Sequence, residues 1–318
     1  MIFAPGVPLH IVVLGGTGFV GGQLVARLVA AGHGVTVLSR NQQMKRELKV
    51  LPRTQLRTVD VYDQDALAGA FAGADAVINL VGILNERGFG GKGFRKAHVE
   101  LTATVIAACA RAGVGRLIQM SALRAGEGES HYLRTRGEAE ALVRASPLRW
   151  TIVRPSVIFG PGDGLFCRFA GLLRWLPVLP IARAKARFAP VYVGDVAEAM
   201  LRSLERPASI GQVHELYGRQ VMTLAQIVRY TAAQLGLRRW VIALPDALGR
   251  VQALVGDILP GKPISSDNYK SLALESVGRV DGLATLGIEP TPVAAIVPWV
   301  LAGNRRQAQL DRHRGRAP

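Results

Sequence analysis

"HIVVLGGTGFVGGQLVARLVAAG", residues 10–32, joins a strand, a turn and a helix in one short run. His10 to Leu14 is apolar and rich in β-branched residues, as a buried strand requires. Gly15, Gly18 and Gly21 follow at G-x-x-G-x-x-G spacing. From Val20 the apolar residues recur at Leu24, Leu28 and Ala31, a helical period that stops at Gly32. Each glycine has a physical use in such a turn. One makes the bend, one lets backbone approach a pyrophosphate, and one lets the helix pack on the strand. The helix N-terminus then faces the phosphates.

Working outward, "GVTVLSR" reads as a second strand ending at Arg40. An acidic residue at this point would bind the ribose hydroxyls of NAD. Arginine instead suits a 2′-phosphate through charge-assisted hydrogen bonds, so NADP(H) is favoured and NAD(H) is the alternative. Lys45 and Arg46 add to the field; the competing reading is a solvated basic loop.

The alternation continues. "QLRTVDV" predicts a strand ending at Asp60, "DQDALAGAFAG" a helix, and "DAVINLVG" a strand ending at Gly82. "FRKAHVELTATVIAACARAGV" predicts one long helix and "GRLIQMSA" a strand ending at Ser121. "SHYLRTRGEAE" predicts a helix carrying Tyr132 and Arg136 on one face, and "LRWTIVRPS" another strand. Strand–helix alternation of this kind builds a parallel sheet covered on both faces, an α/β fold of Rossmann type, doubly wound. Ligands bind at the carboxyl ends of such strands, which places Gly15, Arg40, Asp60, Gly82 and Ser121 on one edge.

The second half predicts a smaller C-terminal α/β region. "GLFCRFAGLLRWLP" has one apolar helical face and ends before Pro177, and "TLAQIVRYTAAQLG" and "PDALGRVQALVGDIL" are further helices. The expected division is 1–160 for dinucleotide binding, with about 190–217 returning to it, 161–303 for substrate or partner, and a disordered basic tail over 304–318.

Cys109 and Cys167 are too few for a disulfide framework and imply a reducing compartment without a metal site. The net charge of +16 fits an anionic cofactor, an anionic membrane surface or nucleic acid. Nucleic acid is disfavoured, because the basic stretches lack aromatic interleaving and any nucleic-acid motif. No transmembrane helix is expected, and the apolar N-terminus lacks the basic start of a signal peptide. The expected location is cytoplasmic, peripheral at the inner face of a membrane.

"GGTGFVG", Asp60, Ser121, Tyr132, "RPSVIFGPGD" and "PVYVGDVAEAM", in this order over nearly the whole chain, resemble an extended short-chain dehydrogenase/reductase. "VINLVGIL", "YLRTRGEAE" and "RFAPVYVGDVAEAM" are similar to the atypical branch that includes the dehydrogenase-like accessory subunit of respiratory complex I and its bacterial relatives. The resemblance implies a cofactor site made by Gly15, Thr17, Gly18, Phe19, Val20, Gly21, Arg40, Asp60, Val61, Leu80, Val81, Gly82, Tyr132, Arg136 and Pro155. It implies Ser121, Tyr132 and Arg136 as catalytic residues: Ser121 bonds a substrate carbonyl and Tyr132 is its acid or base.

The family carries lysine where this chain has Arg136. That lysine holds the nicotinamide ribose, and its ammonium favours ionisation of the tyrosine. Arginine keeps charge and donors but cannot pass a proton. His98 stands where extended members carry asparagine, and is either a buried hydrogen-bonded helix residue or part of a relay. Tyr132 either works as acid and base or packs against the cofactor. The expected function is therefore twofold. One reading is a weak oxidoreductase acting on a hydrophobic carbonyl or quinone-related small molecule. The other is a non-catalytic cofactor-binding subunit of a membrane-associated respiratory or quinone-biosynthesis complex.

Overall fold

Strand β1 (His10–Leu14) lies inside the molecule's main sheet, paired on both sides, and its apolar residues are wholly buried. Burial of each such valine or leucine contributes roughly 1.5–3 kcal/mol, which fixes the register of the neighbours. This computed structural model describes residues 7–39, 48, 50–86, 88–259 and 264–313, with side chains up to 303.

The chain divides into two units. The first comprises Met1–Pro155, Gly194–Leu216 and Gly278–Glu289; the second comprises Ser156–Val193, Tyr217–Val277 and Pro290–Pro318. In the first unit β1 is joined by β2 (Gly34–Ser39), β3 (Thr54–Thr58), β4 (Ala76–Asn79), β5 (Arg116–Met120), β6 (Arg149–Pro155) and the strand Gln212–Leu216. They form a seven-stranded sheet in the order Gln212–Leu216, β6, β5, β4, β1, β2, β3. All its pairings are parallel, so every strand ends on one edge.

Helices connect the strands. They are α1 (Phe19–Ala30), α2 (Gln64–Phe71), α3 (Lys92–Arg95), α4 (Leu101–Ala112) and α5 (His131–Ala145). Between α3 and α4 the chain makes a π turn, Lys96–Glu100, closed by the Leu101 N–H donating to the Lys96 carbonyl. The sequence predicts one uninterrupted helix here. β3 also stops at Thr58, short of Asp60, which sits in the following loop and accepts from the Tyr62 N–H at 3.0 Å. That local bond gives the backbone an alternative to the ladder.

The segment Gly278–Glu289 belongs to the first unit as well, beyond the expected 190–217. Gly282 begins a short helix there against the strand Gln212–Leu216, so closely that a Cβ would press on the Glu215 backbone.

The second unit has its own core. Phe166, Ala170 and Leu173 of the helix Phe166–Trp175 pack with Ile227, Val228, Val297 and Leu301. Two short strands, Val178–Ile181 and Trp240–Ala243, pair in parallel, and the helix Asp246–Ile258 follows the second. The last helix, Val293–His313, runs into the 304–318 tail expected to be disordered. Arg305, Arg306, Gln307, Ala308 and Leu310 are good helix formers, which outweighs the lack of an apolar pattern. Among the described residues, no helix is long and apolar enough to cross a membrane.

Candidate functional site

The turn after β1 is built by its glycines. Gly15 has φ +76°, a left-handed conformation that disfavours side chains, and its carbonyl accepts from the Gly18 N–H at 2.9 Å. Gly21 faces this turn from the first turn of α1, where a Cβ would strike the backbone of Gly15 and Gly16. The end of β4 closes in from the other side: a Cβ on Gly15 would lie 3.3 Å from the Leu80 and Val81 backbone. α1 opens at Gly18 with no side-chain cap and no acidic residue in its first turn. A helix start without a capping side chain or a first-turn acid is the arrangement that suits a phosphate. Thr17, Phe19 and Val20 lie on the same turn and helix start.

The next two strand ends carry the polar part of the site. Asn79 closes β4; its Nδ2 donates to Gln119 Oε1 at 3.1 Å, and its Oδ1 accepts from the Val81 N–H at 3.1 Å. This buried pair shapes the turn through Leu80, Val81 and Gly82. Ser121 follows β5, is buried, and its Oγ has no hydrogen-bond partner among the described residues. Pro155 ends β6, and its carbonyl accepts from the Leu123 N–H at 3.0 Å, tying that strand end to the segment after Ser121.

Helix α5 crosses these ends. Its N-cap Ser130 accepts from the Leu133 N–H at 3.1 Å, so the helix starts at a defined point two residues before Tyr132. Arg136 is buried, and its Nη1 donates to the Met120 carbonyl at 2.9 Å and, at 3.5 Å, reaches the Val81 carbonyl. Gly82 leaves the space for this guanidinium, since a Cβ there would overlap it. Arg136 Nε is buried and has no partner among the described residues. Its Cζ lies 5.7 Å from the centre of the Tyr132 ring.

Tyr132 also meets Phe94 and His98 edge-on, with ring centres 6.1 and 5.6 Å away. His98 is fully inside. Its Nδ1 bonds Thr135 Oγ1 at 2.9 Å, and its Nε2 accepts from the Ile83 N–H at 3.3 Å. Since the Thr135 hydroxyl donates to the His131 carbonyl at 2.7 Å, the proton between Thr135 and His98 belongs to Nδ1. Burial, helped by the nearby Arg136 charge, pushes the His98 imidazole down to about 2. It is a neutral strut that links the loop after β4 to α5.

The structure thus brings Gly15, Leu80, Val81, Gly82, Ser121, Tyr132 and Arg136 to adjoining strand ends. Asp60 and Val61 follow β3 on the same edge, but the Asp60 carboxylate is engaged by its own loop. Arg40, with Lys45 and Arg46, lies outside the described residues. Arg136 spends at least one of its donors on the Met120 carbonyl, a role the helix pattern does not reveal. Sequence reasoning also missed Asn79, Thr135 and the Met120 carbonyl. For Asn79 a signal existed, one amide in the otherwise apolar strand "AVIN".

The residues present fit a nicotinamide dinucleotide. The glycine turn leaves room at β1, α1 offers its uncapped N-terminus, and two buried polar atoms, Ser121 Oγ and Arg136 Nε, lack partners among the described residues. Buried polar groups of this kind carry a cost that a ligand can relieve.

Comparisons with known proteins agree with this geometry. A family profile described as NAD(P)H-binding matches residues 15–164. The ceramide reductase of Caulobacter vibrioides is 32% identical over 242 residues, 74% of this chain and 74% of that protein. The alpha subcomplex subunit 9 of mitochondrial NADH dehydrogenase [ubiquinone] 1 from Dictyostelium discoideum is 32% identical over 216 residues, 66% of this chain. The match spans 60% of that subunit's own length. Among solved structures, the UDP-glucose 4-epimerase of Thermotoga maritima superposes with a TM-score of 0.75. It covers 94% of this chain and 100% of the epimerase at 17% identity, a likeness of fold alone.

Proposed function

This chain belongs to the short-chain dehydrogenase/reductase family, in its atypical extended branch, and on that basis we propose that it holds NADP(H) and reduces a hydrophobic carbonyl compound slowly. The observation that carries this reading is Arg136 in the place of the family's lysine, with Nη1 committed to the Met120 carbonyl beside a Ser121 hydroxyl that has no partner among the described residues.

When bound, the reduced dinucleotide supplies a hydride to a carbonyl carbon. Gly15, Thr17, Gly18, Phe19, Val20 and Gly21 hold its pyrophosphate end, and Arg40 selects the 2′-phosphate. Asp60 and Val61 flank the adenine side, while Leu80, Val81, Gly82 and Pro155 line the strand ends. Ser121 Oγ donates a hydrogen bond to the carbonyl oxygen, and Tyr132 gives that oxygen its proton. Arg136 supplies positive charge next to Tyr132, but its guanidinium stays protonated and cannot refill the tyrosine. Proton resupply is then the slow step.

A second reading is supported by the relatives that are NADH dehydrogenase subunits: a cofactor-binding accessory or assembly subunit of a membrane-associated respiratory or quinone-biosynthesis complex, with no turnover. A ceramide reductase among the relatives supports the first reading and a lipid-like or quinone-related substrate. In both, the protein sits on the cytoplasmic side of an anionic membrane. The deciding experiment is to purify the protein, identify its bound dinucleotide, and challenge it with long-chain ketones and quinones. Oxidation of bound NADPH by a carbonyl supports the reductase; bound NADPH that no carbonyl oxidises supports the subunit; absence of NADP(H) and NAD(H) binding overturns both.

A further inference from the structure

Helix Asp246–Ile258 in the second unit is built inside out. Its buried residues are Gly249, Ala253, Gly256 and Asp257, while Leu248, Val251, Leu254, Val255 and Ile258 are exposed. A helix of a water-soluble unit normally does the opposite. The small residues are there for close approach. A Cβ on Gly249 would lie 3.1 Å from the Tyr269 ring and 3.2 Å from Ala182, and one on Gly256 would strike the Ile264 carbonyl. The helix is therefore seated firmly with its large aliphatic side chains turned outward, Ile258 at 83% exposure.

The elements bonded to this helix share the property. Gln252 fastens it to the strand Val178–Ile181, donating to the Pro180 carbonyl at 2.9 Å and accepting from the Ala182 N–H at 3.0 Å. On that strand and its partner Trp240–Ala243, Val178, Pro180, Trp240 and Ile242 are exposed. Trp175, which ends the helix Phe166–Trp175 just before the strand, is 87% exposed, and Trp240 is 75% exposed. Exposed leucines scattered singly need no explanation, but so many large apolar side chains on linked elements mark a surface that water does not normally face.

The charges on the same elements choose the occupant. Arg174, Arg238 and Arg250 are exposed. The two acids of the helix are already engaged: Asp246 pairs with Arg183 at 3.3 Å, and Asp257 is buried and accepts from Ser266 Oγ at 2.6 Å. Aliphatic residues with tryptophans and a basic border match the interface of an anionic bilayer, where rings settle at headgroup level and arginines meet phosphate.

We infer that the face formed by helix Asp246–Ile258 and the Val178–Ile181/Trp240–Ala243 ribbon inserts into the headgroup region of an anionic lipid bilayer. This names the docking surface for the membrane neighbour of the proposed function and is independent of its cofactor chemistry. The test is flotation of the full-length protein with vesicles of equal parts phosphatidylglycerol and phosphatidylcholine, and with phosphatidylcholine alone. Leu254→Asp combined with Ile258→Asp should lower partition into the anionic vesicles by about tenfold or more, with NADPH binding unchanged. Both positions are exposed, so folding is not at stake, and circular dichroism checks it. In wild type, lipids with brominated acyl chains should quench tryptophan emission, and Trp175→Phe with Trp240→Phe should remove most of the quenched component. Wild-type capture that the aspartates do not change, and that salt abolishes, would leave a membrane neighbour held by charge alone and overturn the inserted face. No capture at low salt overturns both. A wild-type dimer that the aspartates convert to monomer would show that a second copy covers the face, and would overturn the inference too.

Discussion

The guanidinium of Arg136 occupies the space that a side chain on Gly82 would fill. The two residues come from α5 and the end of β4, so the fit is a tertiary one. Gly82→Ala should destabilise the protein by about 1–3 kcal/mol, the range for overpacking a close contact. In an Arg136→Ala background the same change should cost almost nothing. Urea unfolding of the four proteins gives the coupling; an unchanged penalty at Gly82 would mean that the contact is not the source.

Arg136→Lys tests the chemistry. Lysine retains the charge beside Tyr132 but gives up the Nη1 hydrogen bond to the Met120 carbonyl. Cofactor affinity should stay within about tenfold, or about 1.4 kcal/mol, and reductase turnover should rise. Tyr132→Phe should abolish turnover and leave the cofactor bound. Wild-type turnover at roughly 1 per second or faster would show that arginine already serves as well as lysine.

His98 makes stability depend on acid. In the unfolded chain its imidazole takes up a proton below about pH 6.5, whereas the folded site resists it down to about 2. The unfolded state therefore binds more protons as pH falls through that window, and folding stability should fall by up to about 1.4 kcal/mol per pH unit. His98→Asn should make this slope shallower in urea titrations between pH 7 and 4. His33 and His214 are also pushed down by burial, so part of the slope should remain. An identical slope in the variant would show that His98 is protonated in the fold without penalty.

The proposed preference for NADP(H) rests on Arg40. Arg40→Glu should weaken NADPH binding more than NADH binding, by about 1.5–3 kcal/mol, the value of a hydrogen bond to a charged group. Isothermal titration with both cofactors measures the difference. Equal losses would make Arg40 a surface charge only.

The parallel sheet was legible because its strands are short apolar runs and its helices carry their period in the sequence. The glycine turn was legible because Gly15, Gly18 and Gly21 mark backbone that cannot carry side chains. The partners of Arg136 were not. The Met120 carbonyl ends β5 and the Val81 carbonyl lies in the turn after β4, and nothing local in "HYLRTRGEAE" says which backbone a buried guanidinium will meet. The segment Gly278–Glu289 was hidden for the same reason: Gly282 reads as an ordinary helix start after Asp281, and only packing on Glu215 ties it to the sheet. The helix Asp246–Ile258 was legible as a helix, but which of its residues pack was not: the small ones, Gly249, Ala253 and Gly256, face inward.

The π turn at Lys96–Glu100 is a one-residue surplus carried inside a helix. A chain shorter by one residue here could keep Phe94 and Thr102 where they stand and regain a regular hydrogen-bond ladder. What it would forfeit is the aim of His98, which reaches Ile83 on one side and Thr135 on the other from within the turn. A single deletion within the turn would restore a regular helix. Such a deletion would separate two properties that the intact chain holds together: the persistence of the helix, and the tether by which it steadies the loop after β4 beside Gly82.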